Sequence, residues 1–356
     1  MDELPLALGD VYASEIKVRA CEAIAALFPE AGARVMLGLS GADAVTCALK
    51  TAALATKKMG VVAFEGAYHG LSHGPLAACG LAPSFREPFA AQLGVPVTFV
   101  PYPSADDARG APAALDETLS AVRAALATFD VGAVLVEPIL GRGGCIVPPA
   151  SLLAELRSLT EQAGALLVLD EVWTGIGRTG AMLASEHAGV VPDVVCLGKG
   201  LGGGVPISAC VGRASVMQAW GAHGGSAIHT GTHFGSPPAC AAALATLDAV
   251  RGGLVERAAT TGARWIEELR SAGAVAACEW SVRGRGMMVG VRLRDAAEAL
   301  AIARALLQRG YIVLTGGVRG DALTLSPPLT IAPELLSAFT RELSASVTHH
   351  RASRAQ

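Results

Sequence analysis

A lysine set among glycines at the end of a buried strand constrains this chain more than any other feature. Residues 166–204 read LLVLDEVWTGIGRTGAMLASEHAGVVPDVVCLGKGLGGG. The first four are wholly apolar and run into Asp170-Glu171. A short apolar run with branched residues is the pattern of a strand buried on both faces. Asp170 then stands at a strand's carboxyl end, where open α/β sheets place their ligands. A second run, Asp193 to Leu197, passes through Gly198 into Lys199, and Gly200 and Gly202 to Gly204 follow. An amine in that position is expected to be desolvated, which lowers a lysine pKa and makes it a nucleophile.

A carboxylate on one strand end and a lysine on the next is the pairing that a pyridoxal phosphate enzyme needs. The lysine forms a Schiff base with the aldehyde, and the carboxylate holds the ring nitrogen protonated. DEVWTGIGRTG followed by PDVVCLGKGLGGGVP resembles the class III (ω-type) aminotransferases of the fold-type I pyridoxal phosphate superfamily. The likeness runs from about Val11 to about Leu335. It implies an α/β fold, with a large domain built on a mostly parallel seven-stranded sheet and a smaller C-terminal α/β domain. The division is expected at residues 1–250 and 251–356. Family members usually carry a further leading segment; no counterpart is recognised here, so no contacts from it are assigned.

The resemblance distributes roles over several further motifs. Ser40-Gly41-Ala42 follows the strand-like Val35 to Leu39 and opens a helix. By itself Ser40 reads as a simple N-cap, although a helix N-terminus is also an anion site. The family match gives Ser40, Gly41 and Ala42 the cofactor phosphate. Tyr68, in Gly66-Ala67-Tyr68-His69-Gly70, reads alone as a turn tyrosine; the resemblance stacks it on the pyridine ring and leaves His69 to orient the loop. Glu137, at the end of the apolar run Val131 to Val136, becomes a carboxylate on the cofactor wall. Val172 and Trp173 follow Asp170 at the ring, and Trp173 stands where the family often has glutamine. Thr232, in a Gly/Ser/Thr loop that could equally be only a loop, is expected to reach the phosphate of a neighbouring subunit. That implies a homodimer with shared active sites.

Two departures bear on substrate. The family's amino-acid-directed members grip a carboxylate with an arginine just before an SPP-like turn, and a glutamate after EP masks it. Here those positions hold Thr324 and Arg142. Either Arg142 has become the carboxylate receptor, or it is a surface charge and the substrate has no carboxylate there. The first is taken here, because a guanidinium–carboxylate contact is strong and directional. Trp173 is expected to narrow the substrate pocket.

The expected activity is transfer of an amino group from an amine or amino acid to a keto acid or aldehyde through Lys199, with Asp170 on the pyridinium. An aminomutase, a racemase or a decarboxylating transaminase would use the same scaffold. A nicotinamide dehydrogenase reading of GIGRTG fails, because no apolar helix opens after it and no acidic strand end follows. A catalytically inactive relative would not need Lys199, Asp170, Tyr68 and Thr232 together. Net charge is −3 with no basic block, which argues against a nucleic-acid partner. Hydrophobic residues at 52% and charged residues at 17% suit a globular chain. The eight cysteines show no CxxC and no metal spacing, and read as core residues of a cytoplasmic protein. No signal peptide is recognised, and no apolar run reaches the roughly 18 residues of a membrane span. Residues 71–103 read as a loop region, and the last residues, THHRASRAQ, as a frayed polar tail.

Overall fold

The computed structural model describes residues 12–128, 130–222, 227–275 and 278–354. The acidic start of the chain lies outside them. Seven strands among these residues form one sheet: β1 (Arg34–Gly38), β2 (Gly60–Phe64), β3 (Val97–Val100), β4 (Val131–Val136), β5 (Leu166–Asp170), β6 (Val194–Leu197) and β7 (Ser208–Gly212). Their order is β1-β7-β6-β5-β4-β2-β3. Only β7 runs against its neighbours; β6, β5, β4, β2 and β3 pair in parallel.

Alternate residues of the central strands face opposite layers, as the pleat requires. Val61, Ala63, Ala133, Leu135, Val168 and Cys196 pack under the helix Gly41–Thr56. Val62, Phe64, Val134, Val136, Leu167 and Leu169 pack against the helices Ala111–Thr128 and Leu152–Ala163. Burial on both sides is why these strands read as unbroken apolar runs rather than alternating ones. The strand ends that carry Asp170 and Lys199 are therefore anchored in strands buried on both faces.

A second, antiparallel sheet has the order β10-β11-β9-β8, from β8 (Ser281–Arg285), β9 (Met288–Arg292), β10 (Leu314–Gly316) and β11 (Ala322–Leu325). The helices Val255–Gly273, Ala296–Gln308 and Pro333–Arg354 share its core.

Two expectations need correction and a third needs an addition. The region 71–103 contains β3, a parallel edge strand, and a short helix, His73–Ala77. The C-terminal tail is not frayed through its described part: the helix Pro333–Arg354 continues to its end, and Arg351 pairs with the buried Glu298 at 2.7 Å. The third concerns the helical stretch Pro237–Gly273, which includes an 18-residue window of mean hydropathy 1.2, enough by length and composition for a membrane span. A bend at Gly252–Gly253, where Gly253 has φ +116°, divides it, and its first part packs on the helix Glu15–Ala25. Among the described residues no group of His, Cys, Asp and Glu has the makings of a metal site.

Candidate active site

Two adjacent parallel strands end side by side. Asp170, the last residue of β5, stands opposite Cys196 of β6, and Lys199 follows three residues on. Asp170 is buried. Its Oδ1 accepts the Val172 N–H at 3.1 Å, and its Oδ2 lies 2.7 Å from His69 Nδ1. His69 is thus more than a loop-orienting residue, because its ring sits directly against the carboxylate. Such a contact fixes which way the acid points.

Lys199 has φ +41°, in the left-handed region that disfavours side-chain-bearing residues. Strain of this kind persists only where the surroundings enforce it, and it concentrates at functional positions. By area Lys199 is more open than the sequence implies, because its side chain faces a large cavity. Protein still surrounds the amine. Burial lowers its pKa, nearby Asp170 and Glu137 act the other way, and Arg142 adds to the lowering. Its Nζ lies 5.1 Å from the centre of the Trp173 ring.

The expected phosphate end lies against this pair. A Cβ on Gly41 would come within 2.7 Å of Val172 Cγ1, and one on Gly198 would lie 3.5 Å from Gly41 Cα. The first turn of the helix Gly41–Thr56 therefore abuts the segment joining Asp170 to Trp173. Only glycine permits that approach. Ser40 forms a capping box: its hydroxyl accepts the Asp43 N–H at 3.2 Å, and Asp43 Oδ2 accepts the Ser40 N–H at 2.9 Å. Its hydroxyl oxygen accepts locally but keeps its own O–H to donate, so the donors at this end are that O–H and the backbone N–H groups of the first turn at Gly41 and Ala42.

Glu137 ties two more loops to the site. Its Oε1 accepts the Tyr68 N–H at 2.8 Å and its Oε2 the Gly141 N–H at 2.9 Å. Burial pushes its pKa up to about 7, with His69 lowering it and Asp170 raising it. Arg142, next to Gly141, is exposed, and its guanidinium stands 4.7 Å from the centre of the Tyr68 ring. Gly317 N donates to Arg142 O at 2.8 Å, and a Cβ on Gly316 would fall between Arg142 O and Thr324 Cγ2. The two departing positions, Arg142 and Thr324, are therefore neighbours. Thr324 is buried, with its hydroxyl donating to Leu314 O at 3.2 Å. Thr232 lies exposed on a loop, and among the described residues no hydrogen bond or ion pair links it to the Asp170–Lys199 pair.

The folded pKa of Glu137 lies above its ordinary value of 4.5, so burial favours its neutral form. Stability is fully present below pH 4.5 and falls as pH rises through about 7. Glu137→Gln is expected to flatten this slope in the melting temperature of the cofactor-free protein. Parallel wild-type and variant curves between pH 4.5 and 7 would contradict the assignment.

Gly175 to Gly180 form no dinucleotide loop. The segment turns into the second sheet, where a Cβ on Gly286 would lie 2.5 Å from the Thr179 carbonyl carbon. Arg178 from this turn and Arg257 from the helix Val255–Gly273 reach backbone carbonyls of residues 327–331. Residue patterns hold no signal for such contacts.

An amine, a carboxylate, an aromatic ring and a helix N-terminus thus converge at the ends of β5 and β6. They suit a phosphorylated aromatic aldehyde: donors for an anion, an acid for a ring nitrogen and a nucleophile for the carbonyl. Comparison with known proteins agrees. The sequence pattern of the family described as "Aminotransferase class-III" matches residues 3–347. The acetylornithine aminotransferase of Mycobacterium bovis is 40% identical over 344 residues, 95% of this chain and 78% of that protein. The 4-aminobutyrate aminotransferase of Mycobacterium leprae is 37% identical over 322 residues, 85% and 71% of the two chains. Among solved structures, a PLP-bound amine transaminase from an uncultivated Pseudomonas species superposes with TM-score 0.87 at 28% identity, covering 98% of this chain and 84% of that one.

Proposed function

Because the chain belongs to the class III aminotransferases and is a pyridoxal-phosphate-dependent enzyme, we propose that Lys199 and Asp170 are its catalytic pair. The observation that carries this reading is the placement of both on adjacent parallel strand ends, with His69 Nδ1 2.7 Å from the carboxylate. When bound, pyridoxal phosphate supplies an aldehyde that accepts an amino group and a protonated ring that withdraws electrons from the reacting carbon. Asp170 holds the ring nitrogen by a charge-assisted hydrogen bond. Lys199 Nζ would hold the cofactor's aldehyde end, and as a free neutral amine it would move the proton from the donor carbon. Its lowered pKa leaves more of the amine neutral, as both tasks require. Val172 and Tyr68 would hold the ring, and the first-turn donors of Ser40, Gly41 and Ala42 would hold the phosphate. Glu137 holds the Tyr68 and Gly141 loops in place.

Arg142 receives a substrate carboxylate. Its exposure, its perch over the Tyr68 ring and the engaged Thr324 hydroxyl support this. Arg142→Ala is expected to raise the KM for the keto acid about tenfold, the size of one lost charged hydrogen bond, while the cofactor's visible absorbance stays unchanged. An unchanged KM would dispose of this role. Trp173, close to Lys199, closes one side of the substrate space.

The exposure of Thr232 supports a homodimer in which Thr232 completes the partner's phosphate site. The bend at Gly252–Gly253 supports the division of the chain near residue 251. Eight free cysteines, seven of them buried, support a reducing cytoplasmic setting. The test of the reading as a whole is a panel of amines and amino acids added to the purified holoenzyme. Donors bleach the visible band, and a keto acid restores it; turnover of a single substrate with no acceptor would favour an aminomutase or racemase instead.

A further inference from the structure

We infer that Arg178 and Arg257 are positioning residues that hold residues 326–331 opposite Lys199 and thereby govern substrate binding; the inference rests on the assignment of Lys199 made above. Residues 326–331 read Ser-Pro-Pro-Leu-Thr-Ile. Two successive prolines remove two N–H donors, so the segment cannot knit itself into a ladder. Its own backbone closes one turn, from Ile331 N to Pro328 O at 3.0 Å.

The carbonyls of this segment are gripped by guanidinium groups instead. Arg178 Nη1 donates to Pro327 O at 2.6 Å and also to Met287 O, in the β8–β9 connection, at 3.1 Å. Arg257 Nε donates to Leu329 O at 3.1 Å and its Nη2 to Ile331 O at 2.6 Å. Two side chains from separate elements thus fix three alternate carbonyls of one short segment. Arg178 comes from the turn that follows Asp170, so it ties the segment to the strand end bearing the carboxylate. No acid offsets the burial of Arg178, and desolvation alone lowers its pKa to about 10. A buried cation held only by carbonyls is a costly arrangement, and here it fixes geometry.

What the segment faces gives that geometry its consequence. Ser326, Leu329 and Thr330 line a cavity of about 520 Å³ together with Trp173, Ile176 and Lys199. Slack in residues 326–331 would move one wall of the space into which Lys199 opens. It would also move the end of β11, which carries Thr324 beside Arg142. Neither arginine has a chemical step to perform. Loss of either should therefore appear in substrate binding, with the cofactor still held.

The experiment uses the holoenzyme with single substitutions Arg178→Lys, Arg257→Lys and Arg257→Met. At position 257, where the two bonds leave different nitrogens, lysine offers a point donor in place of a fork. Arg257→Met is expected to raise the donor KM about tenfold, with kcat at saturation within about twofold and the visible cofactor band intact. Arg257→Lys should recover part of the loss. Arg178→Lys should raise the donor KM by less than Arg257→Met does, since Nη1 alone makes both Arg178 bonds; should its buried site prevent folding, the Arg257 pair still decides. An unchanged KM in Arg257→Met would overturn the inference. So would an equal fall in kcat with loss of the cofactor band, the mark of a general structural role. A wild-type protein that takes up no cofactor would instead remove the assignment of Lys199, and the inference with it.

Discussion

Replacing Lys199 with alanine is expected to slow transamination by about four orders of magnitude or more, the range associated with losing a positioned proton-transfer group that is also the nucleophile. The substitution removes both the anchor and the proton carrier. Alanine keeps the backbone strain, because φ +41° at this position disfavours every residue that carries a Cβ. Lys199→Gly should therefore be at least as stable as Lys199→Ala while equally inactive. Donor amines should still bind, and the visible band should shift to that of free cofactor. Single-turnover kinetics decide the matter: a Lys199→Ala variant that turns over within tenfold of wild type would place the proton transfer on another group.

Asp170→Asn is the second large effect. The amide is nearly isosteric but carries no charge. The structure surrounds this position tightly, with Val172 N–H on one oxygen and His69 Nδ1 on the other. Turnover should fall by about 10²–10³-fold, the cost of removing one preorganised electrostatic partner in a buried site. Cofactor affinity should fall less than the rate, since the phosphate and ring-face contacts remain. His69→Asn should show a smaller loss in the same direction, because His69 acts through the orientation of Asp170. Equal losses in the two variants would mean that the histidine and the acid act as one unit.

Asp170 and Lys199 stand out in the sequence because both follow wholly apolar runs, and burial on both faces leaves that signature in the chain. Gly41 entered through the family resemblance, and only the structure shows its close approach to Val172, where a Cβ would not fit. Contacts between side chains and distant backbone are different. The grip of Arg178 and Arg257 on residues 327–331 depends on carbonyls that every residue possesses, so the sequence holds no mark of it. The His69–Asp170 pairing escaped for the same reason of distance, since it joins residues far apart in the chain. β3 was hidden by its shortness and its edge position, four residues flanked by prolines. The final helix was hidden by its polarity. Its last described turns are held from outside, by the pairing of Arg351 with Glu298.

Tyr68, Arg142 and Thr324 show how the fold converts separate motifs into one surface. The Glu137 carboxylate accepts one N–H from each of the loops that carry Tyr68 and Arg142. A glutamine there keeps the shape but must turn its amide NH₂ toward one of those N–H groups. Arg142 and Thr324 meet only through Gly316 and Gly317, after β10 has folded back on β11. On the proposed roles, substrate choice would depend on a contact between the two sheets, and the chemistry on one sheet alone.

The most direct measurement is borohydride reduction of the purified yellow holoenzyme, followed by proteolysis and mass analysis of the peptides. A single pyridoxyl adduct on the peptide that contains Lys199 is the predicted result. An adduct on another lysine, or none from a protein saturated with the cofactor, would contradict the assignment of that amine.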